Sequence, residues 1–304
     1  MSDHQTPYAP HQAFIAPAWT RSERWRIAVM IICFEVAFFT LPPILASLLG
    51  PDGAEAFYDG VTTWATLLQF GIFGLVGWAF VIVLRIVHAR GFWSLIGAPE
   101  QALADLWRVV LGVGFLLLVL EFLPPWLPLS EMAEIRDPLW WALMIVPGLI
   151  VLLLQVGTEE IYFRGYLQQQ LACLSSSRLI WMVLPSMIFG FAHYGNGEGT
   201  ADSTLWMIWA TALGLACADL TARTGTLGAA IGLHLANNFF ALMVLGIEGQ
   251  PASGLALFLY PAIDREGFDF SAQALATPGA MFELAIMCMT VLVMWLAARI
   301  ALRR

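Results

Sequence analysis

The stretch "LLQVGTEEIYFRGYLQQQL", residues 153–171, sets the problem that the rest of the chain has to answer. It closes an apolar run of about twenty residues, long enough to cross a bilayer as a helix. At its end stand two adjacent carboxylates, Glu159 and Glu160, followed one turn later by Arg164. An ionisable side chain inside a membrane is expensive, turns towards the protein interior and is a functional hypothesis by default. Glu160 and Arg164 have the four-residue spacing, acid first, that favours an ion pair on a helix. Glu159 points about 100° further round, over Phe163, and is left as a desolvated carboxylate suited to a general base.

The composition places this stretch in a membrane. Of the 304 residues 60% are hydrophobic and 13 are tryptophan, and the mean hydropathy is +0.76, which excludes a soluble domain of this length. Eight candidate spans follow, at about 27–49, 61–87, 108–124, 139–172, 179–195, 204–221, 226–247 and 280–300. All 14 basic residues are arginine. Arg21, Arg24, Arg26, Arg85, Arg90, Arg108, Arg164, Arg178, Arg223, Arg299, Arg303 and Arg304 fall on one side of this layout, and only Arg136 and Arg265 on the other. The positive-inside rule then puts both termini in the cytoplasm. The expected fold is an all-α polytopic membrane protein with a cytoplasmic tail over 1–24 and a single membrane domain over 25–304, whose core is about 139–247.

Other features carry less. The first twenty residues lack a basic n-region and the apolar run after them is too long for a cleaved signal, so the first span is expected to stay. His4 and His11 fall in this tail, read as mobile and without a role. Cys33, Cys173, Cys217 and Cys288 are far apart and suggest neither disulfides nor a thiolate metal site. A net charge of -8 argues against nucleic acid. "GFWSLIGAPEQALAD", 91–105, reads as an interfacial stretch, and "LALFLY", 255–260, as a re-entrant or interfacial piece.

Two further polar islands lie inside predicted spans. In "IFGFAHYGN" Phe189 and His193 are one turn apart, and in "GAAIGLHLANNFF" His234 and Asn238 share a face. If "CLSSSR" forms the hairpin between them, Glu159 and His193 lie roughly 21 and 23 Å from the bend, at similar depth. Gly228 and Gly232 form a small face that lets the last of these helices approach a neighbour closely. Each piece alone reads as packing. Together, a carboxylate, two imidazoles and an amide are the parts for activating water and stabilising an oxyanion, or for holding a zinc.

The combination resembles a known family. "EEIYFR" matches an EExxxR motif, "FGFAH" an FxxxH motif and "HLANN" an HxxxN motif of the CAAX protease and bacteriocin-processing family of intramembrane endopeptidases, over about 140–245. Eight spans with cytoplasmic termini also resemble its CAAX prenyl endopeptidase branch. The resemblance implies a glutamate-dependent intramembrane protease with a cavity opening to the cytoplasm. Glu159 would activate water with help from His193, His234 and Asn238 would form the oxyanion hole, and Glu160, Arg164 and Phe189 would support them. Members are often called metalloproteases, yet HExxH is absent, so zinc and a metal-free mechanism both stay open. The implied partners are the lipid bilayer and a membrane-associated peptide or protein substrate, and the expected location is a bacterial inner membrane. From other classes, a proton-coupled transporter would use Glu35, Glu121 and Glu283 as further intramembrane acids, but no internal repeat supports it. A non-catalytic immunity or scaffold protein is the third reading.

Overall fold

The computed structural model describes residues 7–123, 131–262 and 269–304; His4 and Arg265 lie outside them. Its elements are α-helices joined by short turns, with one three-stranded sheet. Among the described residues six helices are long and apolar enough to cross a membrane: α2 (Arg24–Leu48), α4 (Thr63–His88), α6 (Pro99–Glu121), the continuous Pro138–Leu174, α10 (Gly199–Thr224) and α12 (Pro278–Leu302). The remaining two candidate spans are also helical, but shorter. One is α9 (Leu184–Ala192), preceded by a π-helical turn over Leu179–Val183; the other is α11 (Gly228–Phe239), continued to Val244 by a second π turn. The molecule is an all-α polytopic membrane protein.

Pro138–Leu174 is the central element. Asp137 caps α7 (Pro138–Glu160) by accepting a hydrogen bond from the Trp140 N–H at 2.7 Å, and Pro138 sits where its missing N–H costs nothing. Directly after the two glutamates the backbone widens into a π-helix, Ile161–Gln168, before α8 (Gln169–Leu174). Such insertions recur at functional sites. Every residue from Glu160 to Gln170 is buried.

α11 runs antiparallel to α7, with Leu227 against Gly165 at one end and Met243 against Gly148 at the other. It also packs closely on α6. A Cβ on Gly228 would strike the Ala102 carbonyl, and one on Gly232 would come within 2.8 Å of the Leu106 carbonyl oxygen. The small face expected from the sequence is therefore a backbone-to-backbone approach.

Three parts differ from the sequence reading. First, the third span starts at Pro99, nine residues before the expected 108, so most of "GFWSLIGAPEQALAD" is helical: α5 (Trp93–Ile96), then the first turns of α6. Pro99 at the first helical position is what starts it. Second, "LALFLY" is not re-entrant. Phe258–Tyr260 is the central strand β3 of the sheet, antiparallel to β1 (Glu134–Ile135) and parallel to β2 (Leu245–Ile247), with Leu259 opposite both Glu134 and Gly246. On the same side, "PDGAEAFYDG" forms α3 (Gly50–Asp59), ended by Gly60 at φ 60°.

Third, the tail is packed. α1 (Ala9–Ile15) and a 3-10 turn to Arg21 lie across α8 and α10. His11 is only 3% exposed, stacked on Trp181 at 4.5 Å, and its Nε2 accepts a hydrogen bond from Gln168 at 3.3 Å. That burial holds its pKa down at about 4. Tyr8 donates to Asp219 at 2.6 Å and faces the guanidinium groups of Arg178 and Arg223. Arg304 in turn donates to the Arg223 carbonyl at 2.6 Å. Tyr8 and Arg304 therefore lie at the same end of the bundle, around Asp219 and Arg223.

Candidate active site

The polar cluster lies where α7 meets α11. The Arg164 guanidinium donates to Glu160 Oε1 at 2.9 Å, and His234 Nδ1 reaches the same oxygen at 2.9 Å. The three side chains are 1%, 0% and 3% exposed. The other nitrogen of the ring, Nε2, faces Glu159 Oε2 at 3.6 Å, beyond hydrogen-bond range. Arg164 offsets the charge of Glu160, and a carboxylate this buried is affordable only beside such a partner. Glu159 is the less enclosed carboxylate, at 13% exposure.

Gly214 makes room for this pair. A Cβ there would come within 2.8 Å of Arg164 Nη2 and 3.1 Å of Ser186 Cβ. Ser186 itself donates to the Met182 carbonyl at 2.8 Å, a packing role.

Phe189 is the hub of the far side. Its ring lies 4.6 Å from the Arg164 guanidinium, 5.1 Å from Phe163, 5.7 Å from His234 and 4.4 Å from His193. His193 caps the end of α9 rather than continuing it, because the helix stops at Ala192. Its Nδ1 lies 2.8 Å from the Phe189 carbonyl. A carbonyl only accepts, so Nδ1 carries a proton and donates it there. Asn238 donates to Gln155 Oε1 at 2.9 Å and accepts from Asn237 at 3.0 Å.

The structure thus joins Glu159, Glu160, Arg164 and His234 directly and brings His193 to the same group through Phe189. Asn238 lies one turn beyond His234 and bonds to Gln155, one turn before Glu159. Gln155 escaped the sequence reading, although a glutamine four residues before a glutamate in an apolar run was a signal. Glu35 is not free either: it accepts from Tyr162 at 3.3 Å, whose ring stacks on Phe34 at 3.7 Å.

Access follows from burial. Residues 228–236 of α11 are all buried and 237–240 only partly, while Tyr194 is half-buried and Gly195 and Asn196 are exposed. The partly open side of the cluster thus faces the end opposite Arg223 and Arg304.

The residues do not fit a zinc. Among the described residues no three His, Cys, Asp or Glu side chains group as a metal site. Glu160 and His234 Nδ1 are engaged with each other, and Arg164 places a fixed cation against the carboxylate a dication would need. The metalloprotease reading is not supported.

Fold and site together define a polytopic helical membrane protein with a Glu-Glu-Arg-His cluster inside its helix bundle. Residues 139–240 match the family described as Type II CAAX prenyl endopeptidase Rce1-like, so the resemblance read from the motifs is present over that third of the chain. The chain is also similar to "Uncharacterized protein YyaK" of Bacillus subtilis (strain 168), 28% identical over 112 residues. That alignment covers 37% of this chain and 38% of the relative, well under half of each. No solved structure matches.

Proposed function

We propose that this chain is an intramembrane endopeptidase of the CAAX prenyl protease type, which hydrolyses a peptide bond in a membrane-associated substrate with water activated by Glu159 and His193. The observation that carries the reading is the convergence of Glu159 and Glu160 from α7 and Arg164 from the π-helix after it with His234 from α11, inside the matched region, with Glu159 as the more open carboxylate.

Each group has a part to which its surroundings suit it. Glu160 is held by Arg164 and by His234 Nδ1, so it orients the ring and does not take part in the chemistry. Glu159 has a carboxylate oxygen, Oε2, that is buried and accepts no hydrogen bond from the protein, and it takes the proton of the attacking water. His193 Nε2 is the second base: it takes that proton from Glu159 and delivers it to the amine as the C–N bond breaks, so both side chains end as they began. As the carbonyl carbon becomes tetrahedral its oxygen gains charge. The His234 Nε2–H, too far from Glu159 for a hydrogen bond, and the second N–H of Asn238 are the donors for that oxyanion. Phe189 fixes the spacing of the two imidazoles.

A bacterial inner membrane fits the composition, and there a peptide precursor or a membrane protein is the substrate this reading favours over a prenylated one. The test is cleavage of a quenched-fluorescent peptide panel, prenylated and plain, by wild type and by Glu159→Ala, each with and without chelator. The expected result is turnover by wild type that the chelator does not affect and that the variant loses, while its thermal melt is unchanged. Full activity in Glu159→Ala overturns the assignment.

A further inference from the structure

We propose that Gln155 is a positioning residue that sets which way the Asn238 carboxamide faces, and so holds an oxyanion donor in place; this rests on the hydrolytic reading above. A side-chain amide has two nearly isosteric orientations that exchange a donor for an acceptor at the same point in space. An amide that must stabilise developing negative charge has to present N–H there, because the flipped form would present oxygen and repel it. Something must therefore break the tie.

The structure contains such a device. Asn238 Nδ2 donates to Gln155 Oε1 at 2.9 Å, and Asn238 Oδ1 accepts from Asn237 Nδ2 at 3.0 Å. The two bonds engage opposite ends of the same carboxamide. One N–H of Asn238 is thereby used, and the other is left in the plane of the amide, directed away from Gln155. Flipping Asn238 would set its oxygen against Gln155 Oε1 and its nitrogen against Asn237 Nδ2, losing both bonds at once.

Gln155 is suited to the task by its place. It is only 6% exposed, so it is itself held by packing, and it lies one turn before Glu159 on α7. Asn238 lies one turn after His234 on α11. The bond therefore ties the helix that carries the base to the helix that carries the oxyanion donors, at the level of the reacting groups. A change in the distance or rotation between the two helices reaches the amide and the carboxylate together.

Two variants separate positioning from packing. Gln155→Met keeps the length and removes the acceptor, and Gln155→Glu keeps an acceptor oxygen in the same place. Losing one hydrogen bond that biases an orientation, about 1 kcal/mol, corresponds to roughly a fivefold change in population, with further loss from looser aim. The expected result is a fall in kcat of roughly 5- to 30-fold for Gln155→Met with KM within twofold, and recovery of most of it in Gln155→Glu. Asn238→Ala, which removes the donor altogether, is expected to fall about 100- to 1000-fold. Unchanged kcat in Gln155→Met, or a loss confined to KM, overturns the proposal.

A measurement that needs no substrate tests the bond itself. Detergent melts of Gln155→Met, Asn238→Ala and the double variant form a cycle. The double variant is expected to melt well above the sum of the single losses, because the second change removes a bond already lost; strict additivity overturns the proposal. If wild type and Glu159→Ala are equally inactive on every peptide, the hydrolytic reading fails, and the cycle still decides whether Gln155 holds Asn238.

Discussion

Removing Arg164 is the perturbation whose outcome the structure specifies most sharply. The guanidinium lies 2.9 Å from Glu160 Oε1, and the two side chains are 1% and 0% exposed. At an effective dielectric of about 20 that contact is worth about 6 kcal/mol of Coulomb attraction, most of it offset by the cost of taking both ions out of water. Arg164→Met keeps the aliphatic bulk but leaves the carboxylate without its main counter-charge, with His234 Nδ1 still in contact with it. Breaking a buried pair from one side costs about 3 to 5 kcal/mol. At about 2 to 4 °C per kcal/mol this is a fall in melting temperature of roughly 6 to 20 °C. The assay is a melt in detergent followed by a thiol-reactive dye, since Cys217 is fully buried and reacts on unfolding. The companion Glu160→Gln/Arg164→Met removes both charges and is expected to regain most of the loss, because the penalty belongs to the unpaired ion. A single variant that melts within about 2 °C of wild type, or a double variant worse than either single one, would show that the unpaired ion carries no such penalty.

Other outcomes follow from features at the edges of the cluster. His11 has its pKa lowered to about 4 by burial. The undocked tail, with an ordinary histidine near 6.5, therefore binds the proton more readily between these values. Docking of α1 is at full strength above pH 6.5 and weakens by about 3 kcal/mol as pH falls towards 4. Amide exchange over residues 9–15 should quicken from pH 7.5 to 5 after correction for intrinsic rates, and His11→Phe, which keeps the ring on Trp181, should flatten that response. Gly228→Ala drives a methyl into the Ala102 carbonyl; it is expected to cost about 1 to 3 kcal/mol, read as a lower melting temperature, with Gly279→Ala as a control because nothing lies near that position.

Much of this architecture was legible in the sequence because its signals are local. Apolar runs of span length marked all eight helical places. The acid-first spacing marked the Glu160–Arg164 pair, and Gly228 with Gly232 marked the close approach to another helix. What was not legible depends on partners distant in the chain. Nothing local shows that Phe258–Tyr260 pairs with Glu134–Ile135, more than a hundred residues earlier, and strands this short carry no periodicity. The split use of the His234 ring, one nitrogen to each glutamate, exists only once α11 lies along α7. The docked tail was legible in principle: Tyr8, His11, Phe14 and Ile15 recur at helical spacing, but one short helix of this kind is easily read as a polar leader. The start of α6 was obscured because Asp105 and Arg108 depress the hydropathy of turns that are nonetheless helical.

The two shorter apolar helices have a consequence for the bilayer around them. At 1.5 Å per residue the 25 residues of α2 or α12 extend about 38 Å, whereas the 17 of Gly228–Val244 extend about 25 Å and the 14 of Leu179–Ala192 about 21 Å. A hydrocarbon layer of about 30 Å is overshot by the first set and not filled by the second. A lipid film meets such a mismatch by dimpling, so the bilayer thins beside Leu179–Ala192, whose Leu184, Met187, Ile188 and Phe191 face outward, whereas residues 228–236 of α11 are enclosed by protein. His193 closes one of these helices, and His234 and Asn238 stand in the other. His193 is thus carried by the element that draws the water surface inward, and a site that would be sealed in oil within a bundle of uniform length lies instead beside a depression in the membrane.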